Sequence, residues 1–346
     1  MQKQELDDSS NLDVVRTLAV TFVVISHLPL PPLLGNFLPY HNSALGLLGV
    51  ALFFVHTSLV LMLSLQRQTQ RYGEKHRALQ FFIRRVFRIY PLSLSVVIFL
   101  VILEFAYSAE PPVFSRVASN LLLIQNLTGD ISIPSPLWSL PFELQMYLFL
   151  PTIYFSLQSV ERKFVVAAFL AVWVASICFV ILLHAIHFNY HLAKYVPCFI
   201  PGILAYALRD RARLFSPAVL VGYIISVAIV FPVAVEKGIP ENIAAWPICL
   251  VLGFLIPVCR ELQSRFFKKI TKTIATYSYG IYLVHQPCIN LSFDILNISV
   301  VSSMIIFVVA TPFISFLVYH LIERPGIALG SKIALRVCRV EEVARA

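Results

Sequence analysis

The chain has 346 residues, of which 58% are hydrophobic and 13% are charged, with a net charge of +9 and a mean hydropathy of +0.81. A soluble domain of this size needs more polar residues, because it cannot bury every side chain. The composition therefore excludes a disordered chain, a coiled coil, a nucleic-acid module and a cytosolic enzyme. It indicates a polytopic integral membrane protein, with room for about ten spans of about 20 apolar residues each.

Apolar runs in the sequence predict an all-α protein with ten transmembrane helices. The predicted spans lie near 12–30, 44–65, 89–107, 137–157, 164–185, 196–208, 216–235, 243–258, 274–293 and 299–322. The run 196–208 is marginal in length. The run 117–127 is too short to cross a bilayer, and it predicts either a re-entrant or an interfacial segment.

The distribution of Lys and Arg predicts the orientation. They concentrate in alternate loops and in the tail after residue 322, whereas the opposite loops hold only Arg116, Lys194 and Lys237. This asymmetry predicts that both termini are cytoplasmic. Since the first residues are acidic, unlike the basic start of a signal peptide, we expect the first span to remain in the membrane. The predicted parts are a cytoplasmic segment 1–11, a transmembrane domain 12–325 and a cytoplasmic tail 326–346.

The six cysteines include no CxxC pair, and most lie in apolar runs. This pattern predicts neither a metal site nor a disulfide framework. We interpret the cysteines as small packing residues.

The first predicted span carries three candidate functional residues, Asp13, Arg16 and His27. A charged residue at the centre of a span costs roughly 2.5–3.5 kcal/mol, so each is retained for a reason. Arg16 and His27 are separated by eleven residues, which is about three helical turns and about 16 Å, so they share one helix face. Two plainer interpretations stay open: Arg16 as an anchor at the membrane interface, and His27 as a packed histidine.

Two further titratable residues fall at a similar depth. Glu143 lies early in a span that enters from the outer side, and His285 lies in the outer half of a span that runs outward. Together with His27, they place three titratable groups from three spans in the outer half of the membrane. A carboxylate at that depth needs a partner or water, and a structural ion pair is the alternative interpretation of Glu143.

Three arginines, Arg84, Arg85 and Arg88, lie together at a predicted cytoplasmic membrane edge. Guanidinium groups match the geometry of phosphate oxygens, so one hypothesis is a phosphate-binding patch. The other is ordinary anchoring to anionic lipid.

Six segments in order resemble the acyltransferase-3 family of membrane O-acyltransferases. They are Leu12-Asp13 with Arg16 and His27; Gly49-Val50-Ala51-Leu52-Phe53-Phe54-Val55; Phe82-Ile83-Arg84-Arg85-Val86-Phe87-Arg88-Ile89-Tyr90-Pro91; Trp138-Ser139-Leu140 with Glu143, Gln145 and Tyr147; Ser278-Tyr279-Gly280-Ile281-Tyr282-Leu283-Val284-His285; and Glu323-Arg324-Pro325. The resemblance runs from about residue 12 to residue 330. One departure is His56-Thr57-Ser58, which stands where the family usually has Ser-Gly. Some family members carry a fused hydrolase-like domain outside the membrane, and we expect none here.

The resemblance implies an acyl-CoA donor, most often acetyl-CoA, and a hydroxyl acceptor on a carbohydrate or glycolipid, with no tightly bound cofactor and no nucleic-acid partner. It implies that His27 is the general base, with a covalent acyl-histidine as the alternative. Glu143 would orient His27 or bind the acceptor, and His285 would be a second polar contact or proton carrier.

For the donor, the resemblance implies that Arg84, Arg85 and Arg88 meet the phosphates of acyl-CoA and that Arg16 is a deeper contact. Candidates for acceptor binding or support are Asp13, Trp138, Ser139 and Tyr282. We expect a multi-pass protein of a cell membrane, the bacterial inner membrane first, with the lipid bilayer as a partner. The competing hypothesis is a polytopic transporter, which would also carry polar residues inside its spans.

Overall fold

A computed structural model describes residues 9–29, 42–72, 77–107, 112–158, 161, 164–188, 191–296 and 298–343. Residues 1–8 of the predicted N-terminal segment and residues 344–346 of the predicted tail lie outside this description. Within it the chain is helical and forms no β-strand, which agrees with the predicted all-α class. The helices are α1 Ser10–His27, α2 Asn42–Tyr72, α3 Arg77–Tyr107, α4 Phe114–Leu122, α5 Gln125–Thr128, α6 Leu140–Gln158, α7 Val165–Ala185, α8 Val196–Ala207, α9 Pro217–Glu236, α10 Glu241–Val258, α11 Arg265–Ile289, α12 Val300–Val318 and α13 Arg324–Val343.

Six helical stretches in the described residues are long and apolar enough to cross a membrane. They are Ser43–Gln70, Ala78–Ala106, Val165–Ala185, Pro217–Glu236, Glu241–Val258 and Val300–Val337. The protein is therefore a multi-pass membrane protein by the length and composition of its helices. The count of ten spans and the orientation of the termini stay predictions.

The other four predicted spans, near 12–30, 137–157, 196–208 and 274–293, also form helices: α1, α6, α8 and α11. Three of them carry candidate site residues inside the helix. The fourth, α8, has only 12 residues, and nearly all of them are buried. It packs against α7 and α10, so its surroundings are protein.

The chain divides into two compact units. Unit 1 comprises Met1–Leu63 and Thr152–Ser278, and unit 2 comprises Ser64–Pro151 and Tyr279–Ala346. Helices α2, α6 and α11 each contribute residues to both units.

In unit 1, helix α1 is fixed at its start by a buried carboxylate. Glu261, which is 4% exposed, accepts hydrogen bonds from the hydroxyls of Ser9 and Ser10 and from the backbone N–H of Asn11, at 2.8, 2.8 and 3.1 Å. Arg213 donates to the same carboxylate at 2.7 Å. A negative charge at this position satisfies N–H groups that the first helical turn leaves without partners, and it complements the helix dipole.

Helices α1 and α2 approach each other closely at Gly49. A Cβ atom added there would lie 2.6 Å from the carbonyl oxygen of Ala19, so only glycine fits. Helix α1 ends at His27, because Leu28 precedes Pro29 and takes an extended conformation. His27 is thus the last residue of the helix.

In unit 2, α13 packs tightly along α3. Gly326, Gly330 and Ala334, spaced by four residues, are buried on this face, and a Cβ atom on Gly330 would lie 2.3 Å from the Cβ of Phe87. The predicted tail is therefore largely a helix with one face against α3.

The short run 117–127 forms α4 and the single turn of α5. Helix α4 packs on α3, and the hydroxyl of Tyr90 donates to the carbonyl of Leu122 at 3.0 Å. Tyr90 lies 17 residues before the end of α3 at Tyr107, which is about 25 Å along the helix axis. A segment that reaches so far back along α3 fits the re-entrant interpretation better than the interfacial one.

Candidate functional site

An arginine-lined cavity of about 510 Å³ lies within unit 2. We call it the arginine cavity; its lining residues are Ser64, Arg67, Gln68, Gln70, Arg84, Arg85, Arg88, Ile327 and Ser331. Its volume is within the range of about 300–1,000 Å³ that is usual for small-ligand sites. The three arginines that the sequence predicted as a phosphate patch thus lie in one cavity.

Three helices position these side chains. On α3, Arg84 and Arg88 are one turn apart, and the guanidinium of Arg85 lies 5.7 Å from the ring centre of Phe81. On α2, the spacing of Ser64, Arg67 and Gln68 puts them on one helix face. The wall from α13 is set by the close packing of Gly326 and Gly330 against α3.

One acidic residue lies beside the cavity arginines. The carboxylate of Glu323, which is 1% exposed, lies 3.9 Å from a guanidinium nitrogen of Arg88. A buried carboxylate requires a nearby cation, and this pair leaves most of the donors of Arg88 to other groups.

Glu143 lies in the first turn of α6. Its carboxylate accepts a 2.5 Å hydrogen bond from the hydroxyl of Tyr147, one turn later. The ring of Tyr147 packs edge-on against Phe81, with 6.1 Å between ring centres. Glu143 and Arg85 are therefore both held next to Phe81 and Tyr147, within unit 2.

Ser139 and Tyr282 are hydrogen-bonded to each other. The hydroxyl of Tyr282 donates to the carbonyl of Pro136 at 2.5 Å, so the hydroxyl of Ser139 is the donor in its 2.7 Å contact with Tyr282. Trp138 in the same turn packs against Phe142. The two hydrogen bonds join the turn Ser135–Ser139 to α11, and the Trp138–Phe142 contact joins it to α6.

His285 is fully buried, one turn after Tyr282. Its Nδ1 lies 3.0 Å from the carbonyl of Ile281. Because a carbonyl can only accept, Nδ1 carries the proton, and the basic lone pair of the neutral ring is on Nε2.

His27 in unit 1 has the same local arrangement. Its Nδ1 donates to the carbonyl of Val23 at 2.8 Å, and the hydroxyl of Ser26 lies 3.1 Å from the same nitrogen. In the tautomer that this bond selects, the lone pair of the ring is on Nε2. Asp13 and Arg16 lie earlier on the same helix, both partly exposed.

The predicted site residues thus fall into two groups. Asp13, Arg16 and His27 belong to unit 1; the others, Arg84, Arg85, Arg88, Trp138, Ser139, Glu143, Tyr282 and His285, belong to unit 2. The buried His56 of unit 1 is also placed in α2.

Sequence reasoning missed the contribution of α2 and α13 to the arginine cavity. The predicted span 44–65 ends before Arg67 and Gln68 and leaves them in a loop, although they continue the face of α2 that begins at Ser64. The helical spacing was a usable signal. Ser331 carried no signal, because its position depends on the packing of α13 against α3.

The helical membrane fold and the order of these residues define a class, the membrane acyltransferases. The pattern of the acyltransferase-3 family, described as an acyltransferase domain, matches residues 9–320. The chain belongs to this family. It is also 23% identical, over 261 residues, to a protein of Acidianus two-tailed virus named putative acetyltransferase ORF330; the match covers 71% of this chain and 77% of that protein. No solved structure matches the chain.

Proposed function

We propose that this membrane acyltransferase moves an acetyl group from cytoplasmic acetyl-CoA to a hydroxyl of a carbohydrate or glycolipid at the outer face of a cell membrane. The observation that carries the proposal is the arginine cavity, which gathers Arg67, Arg84, Arg85 and Arg88 in unit 2. The name of the viral relative supports the choice of acetyl.

An acyl-CoA would account for the positive charge of the cavity. Four guanidinium groups supply only hydrogen-bond donors, and phosphate oxygens supply only acceptors. Coenzyme A carries a diphosphate and a third phosphate on its ribose, and it is a cytoplasmic metabolite. The basic loops predict that this end of α2 and α3 is cytoplasmic. Arg16 in unit 1 is the proposed contact deeper along the donor.

His27 is the proposed general base. Its Nε2 takes the proton from the acceptor hydroxyl while the oxygen attacks the thioester carbonyl, forming a tetrahedral oxyanion. Collapse of this intermediate breaks the C–S bond, and the proton returns from His27 to the leaving thiolate. The products are the acetyl ester and free coenzyme A. Glu143 and His285 of unit 2 are proposed to bind the acceptor.

The depth of the residues supports transfer at the outer face. His27 is the last residue of α1, and the start of α1 binds Glu261, which lies in the basic segment 259–273. If that segment is cytoplasmic, His27 lies in the outer half of the membrane.

The test uses membranes that contain the wild-type protein, His27→Ala or His184→Ala. His184 is an exposed histidine in the last turn of α7 and serves as the matched control. Radiolabelled acetyl-CoA is added together with extracts that contain the native acceptor, and label is followed into glycan, glycolipid and protein fractions. We expect transfer to fall about 10²- to 10⁴-fold for His27→Ala and to stay unchanged for His184→Ala.

Three outcomes separate the alternatives. Label in a glycan or glycolipid that requires His27 supports the general-base mechanism. Label on the protein that requires His27 favours an acyl-histidine. If the wild-type protein takes up no label and binds no acetyl-CoA, the proposal is wrong and the transporter hypothesis becomes the first candidate.

A further inference from the structure

Gln68 brings a buried hydrogen-bond acceptor into the lining of the arginine cavity. Gln68 is 6% exposed and lines the cavity, and its Nε2 donates to the hydroxyl of Ser64 at 3.0 Å. Its Oε1 is buried and has no hydrogen-bond partner in the described part of the chain. A buried carbonyl oxygen without a donor is uncommon, because the loss of water is then uncompensated.

The phosphates of an acyl-CoA cannot donate a hydrogen bond to the Oε1 of Gln68. Ionised phosphate oxygens accept hydrogen bonds, as Oε1 does, so they pair with Arg84, Arg85 and Arg88 and not with the Oε1 of Gln68. A ligand that satisfies both the arginines and this oxygen is a polyanion that also carries a hydrogen-bond donor. The donor group must also lie close to the phosphates, since Gln68 follows Arg67 directly in the same cavity.

The nucleotide end of coenzyme A combines these properties. Its adenosine carries phosphates on the 3′ and 5′ oxygens, and the exocyclic amine of adenine is a hydrogen donor that amide side chains recognise. The ribose 2′-hydroxyl is the other nearby donor, but it lies next to the 3′-phosphate and can donate to that group.

Resting on the proposed acetyl-CoA donor, we propose that Gln68 is a specificity-determining residue whose Oε1 accepts a hydrogen bond from the adenine amine. The arginines then hold the phosphates, whereas Gln68 distinguishes a base with an amine at this position, as in adenine, from one with a carbonyl, as in hypoxanthine. The role of the Ser64 hydroxyl is to orient the amide so that its oxygen faces the ligand.

Equilibrium competition tests this proposal on the purified full chain in mild detergent. Radiolabelled acetyl-CoA is displaced by coenzyme A, by its hypoxanthine analogue, in which a carbonyl replaces the amine, or by its 2′-deoxyribose analogue. We expect the wild-type protein to bind coenzyme A about tenfold or more tightly than the hypoxanthine analogue, because two carbonyl oxygens would then face each other. The 2′-deoxyribose analogue should compete as well as coenzyme A.

Two variants test whether Gln68 is responsible for the preference for adenine over hypoxanthine. Gln68→Leu keeps the size of the side chain and removes the acceptor, so the preference for adenine should fall to about onefold. Gln66→Leu, on the same helix but outside the cavity lining, should keep the full preference. If Gln68→Leu does not fold, Gln68→Glu retains an acceptor and should keep the preference with weaker overall binding, because it adds a negative charge.

The outcomes also separate this proposal from the proposed function. If the wild-type protein binds acetyl-CoA but binds coenzyme A and its hypoxanthine analogue equally, the role of Gln68 is wrong and the proposed function stands. If only the 2′-deoxyribose analogue binds more weakly than coenzyme A, Gln68 contacts the ribose hydroxyl, and the proposed adenine contact is wrong. If a folded wild-type protein binds no acetyl-CoA, the proposed function itself fails.

Discussion

The two units hold their candidate residues in different ways. In unit 1, Asp13, Arg16 and His27 all lie on α1, which is fixed at its start by Glu261 and along its length by the contact at Gly49. In unit 2 the candidates come from several elements, α3, the Ser135–Ser139 turn, α6 and α11; hydrogen bonds join the turn to α11, and the ring contact of Phe81 with Tyr147 joins α3 to α6. A disturbance of the α1 anchor should therefore affect three residues together, whereas a single change in unit 2 should act locally.

The largest effect on stability is expected from Glu261→Gln. This change leaves Arg213 without its ionised partner and weakens three further hydrogen bonds at the start of α1. Glu261 is buried and Arg213 is about a quarter exposed, so we expect a loss of about 2–3 kcal/mol. Thermal unfolding in mild detergent measures the loss, and acetyl transfer should fall with it.

Glu104→Gln is the matched control for Glu261→Gln. Glu104 also accepts from an arginine, Arg116 at 2.9 Å, but both side chains of this pair are about a third exposed. Exposed ion pairs contribute about 0–1 kcal/mol. Equal losses of stability for the two variants would contradict the idea that α1 depends on a buried anchor.

The next largest effect is expected on the binding of acetyl-CoA in the arginine cavity. Arg85→Ala removes one of four guanidinium groups, and we expect the dissociation constant for acetyl-CoA to rise about 10- to 100-fold. Arg85→Lys should recover only part of the affinity, because an ammonium group lacks the paired donors of the guanidinium. Equilibrium binding of radiolabelled acetyl-CoA measures both.

Arg116→Ala controls for the loss of a positive charge in the same unit. Arg116 is outside the cavity lining and pairs with Glu104. Unchanged affinity for Arg85→Ala, or an equal loss for Arg116→Ala, would show that the cavity does not bind the donor.

A smaller effect on stability is expected when one glycine in each unit is replaced by alanine. In unit 2, the Cβ of Gly330→Ala would lie 2.3 Å from the Cβ of Phe87, so α13 must shift away from α3 at a cost of about 1–3 kcal/mol. In unit 1, Gly222 lies within α9 with no atom within 4 Å of the added Cβ, so Gly222→Ala should stabilise by about 0.5–1 kcal/mol. Thermal unfolding of both variants should give shifts of opposite sign; a gain for Gly330→Ala would mean that α13 is not closely packed.

The sequence predicts the parts of this comparison that depend on composition and local spacing. The all-α class and the clustering of Arg84, Arg85 and Arg88 follow from apolar runs and from positions within about one helical turn. The family motifs were also recognisable, because their residues keep a fixed order.

The remaining parts depend on contacts between distant segments. Nothing near Glu261 in the sequence indicates that it binds the start of α1, about 250 positions earlier. The cavity wall from α13 is equally remote from α3. The span count is harder to predict for another reason: α1, α6 and α11 carry polar residues, and hydropathy alone does not separate such helices from shorter buried ones.

The smallest effect is expected for Tyr282→Phe, which tests the local character of unit 2. The change removes the donor to the carbonyl of Pro136 and the acceptor for the hydroxyl of Ser139, at a cost of about 1–2 kcal/mol. Ser139→Ala removes only the second bond and should cost about 0.5–1 kcal/mol. Because the two side chains share that bond, the double variant should lose less stability than the two single variants added together, by about 0.5 kcal/mol or more. Exact additivity would mean that the Ser139–Tyr282 bond contributes no coupling, and only the Tyr282–Pro136 bond would then join α11 to the Ser135–Ser139 turn.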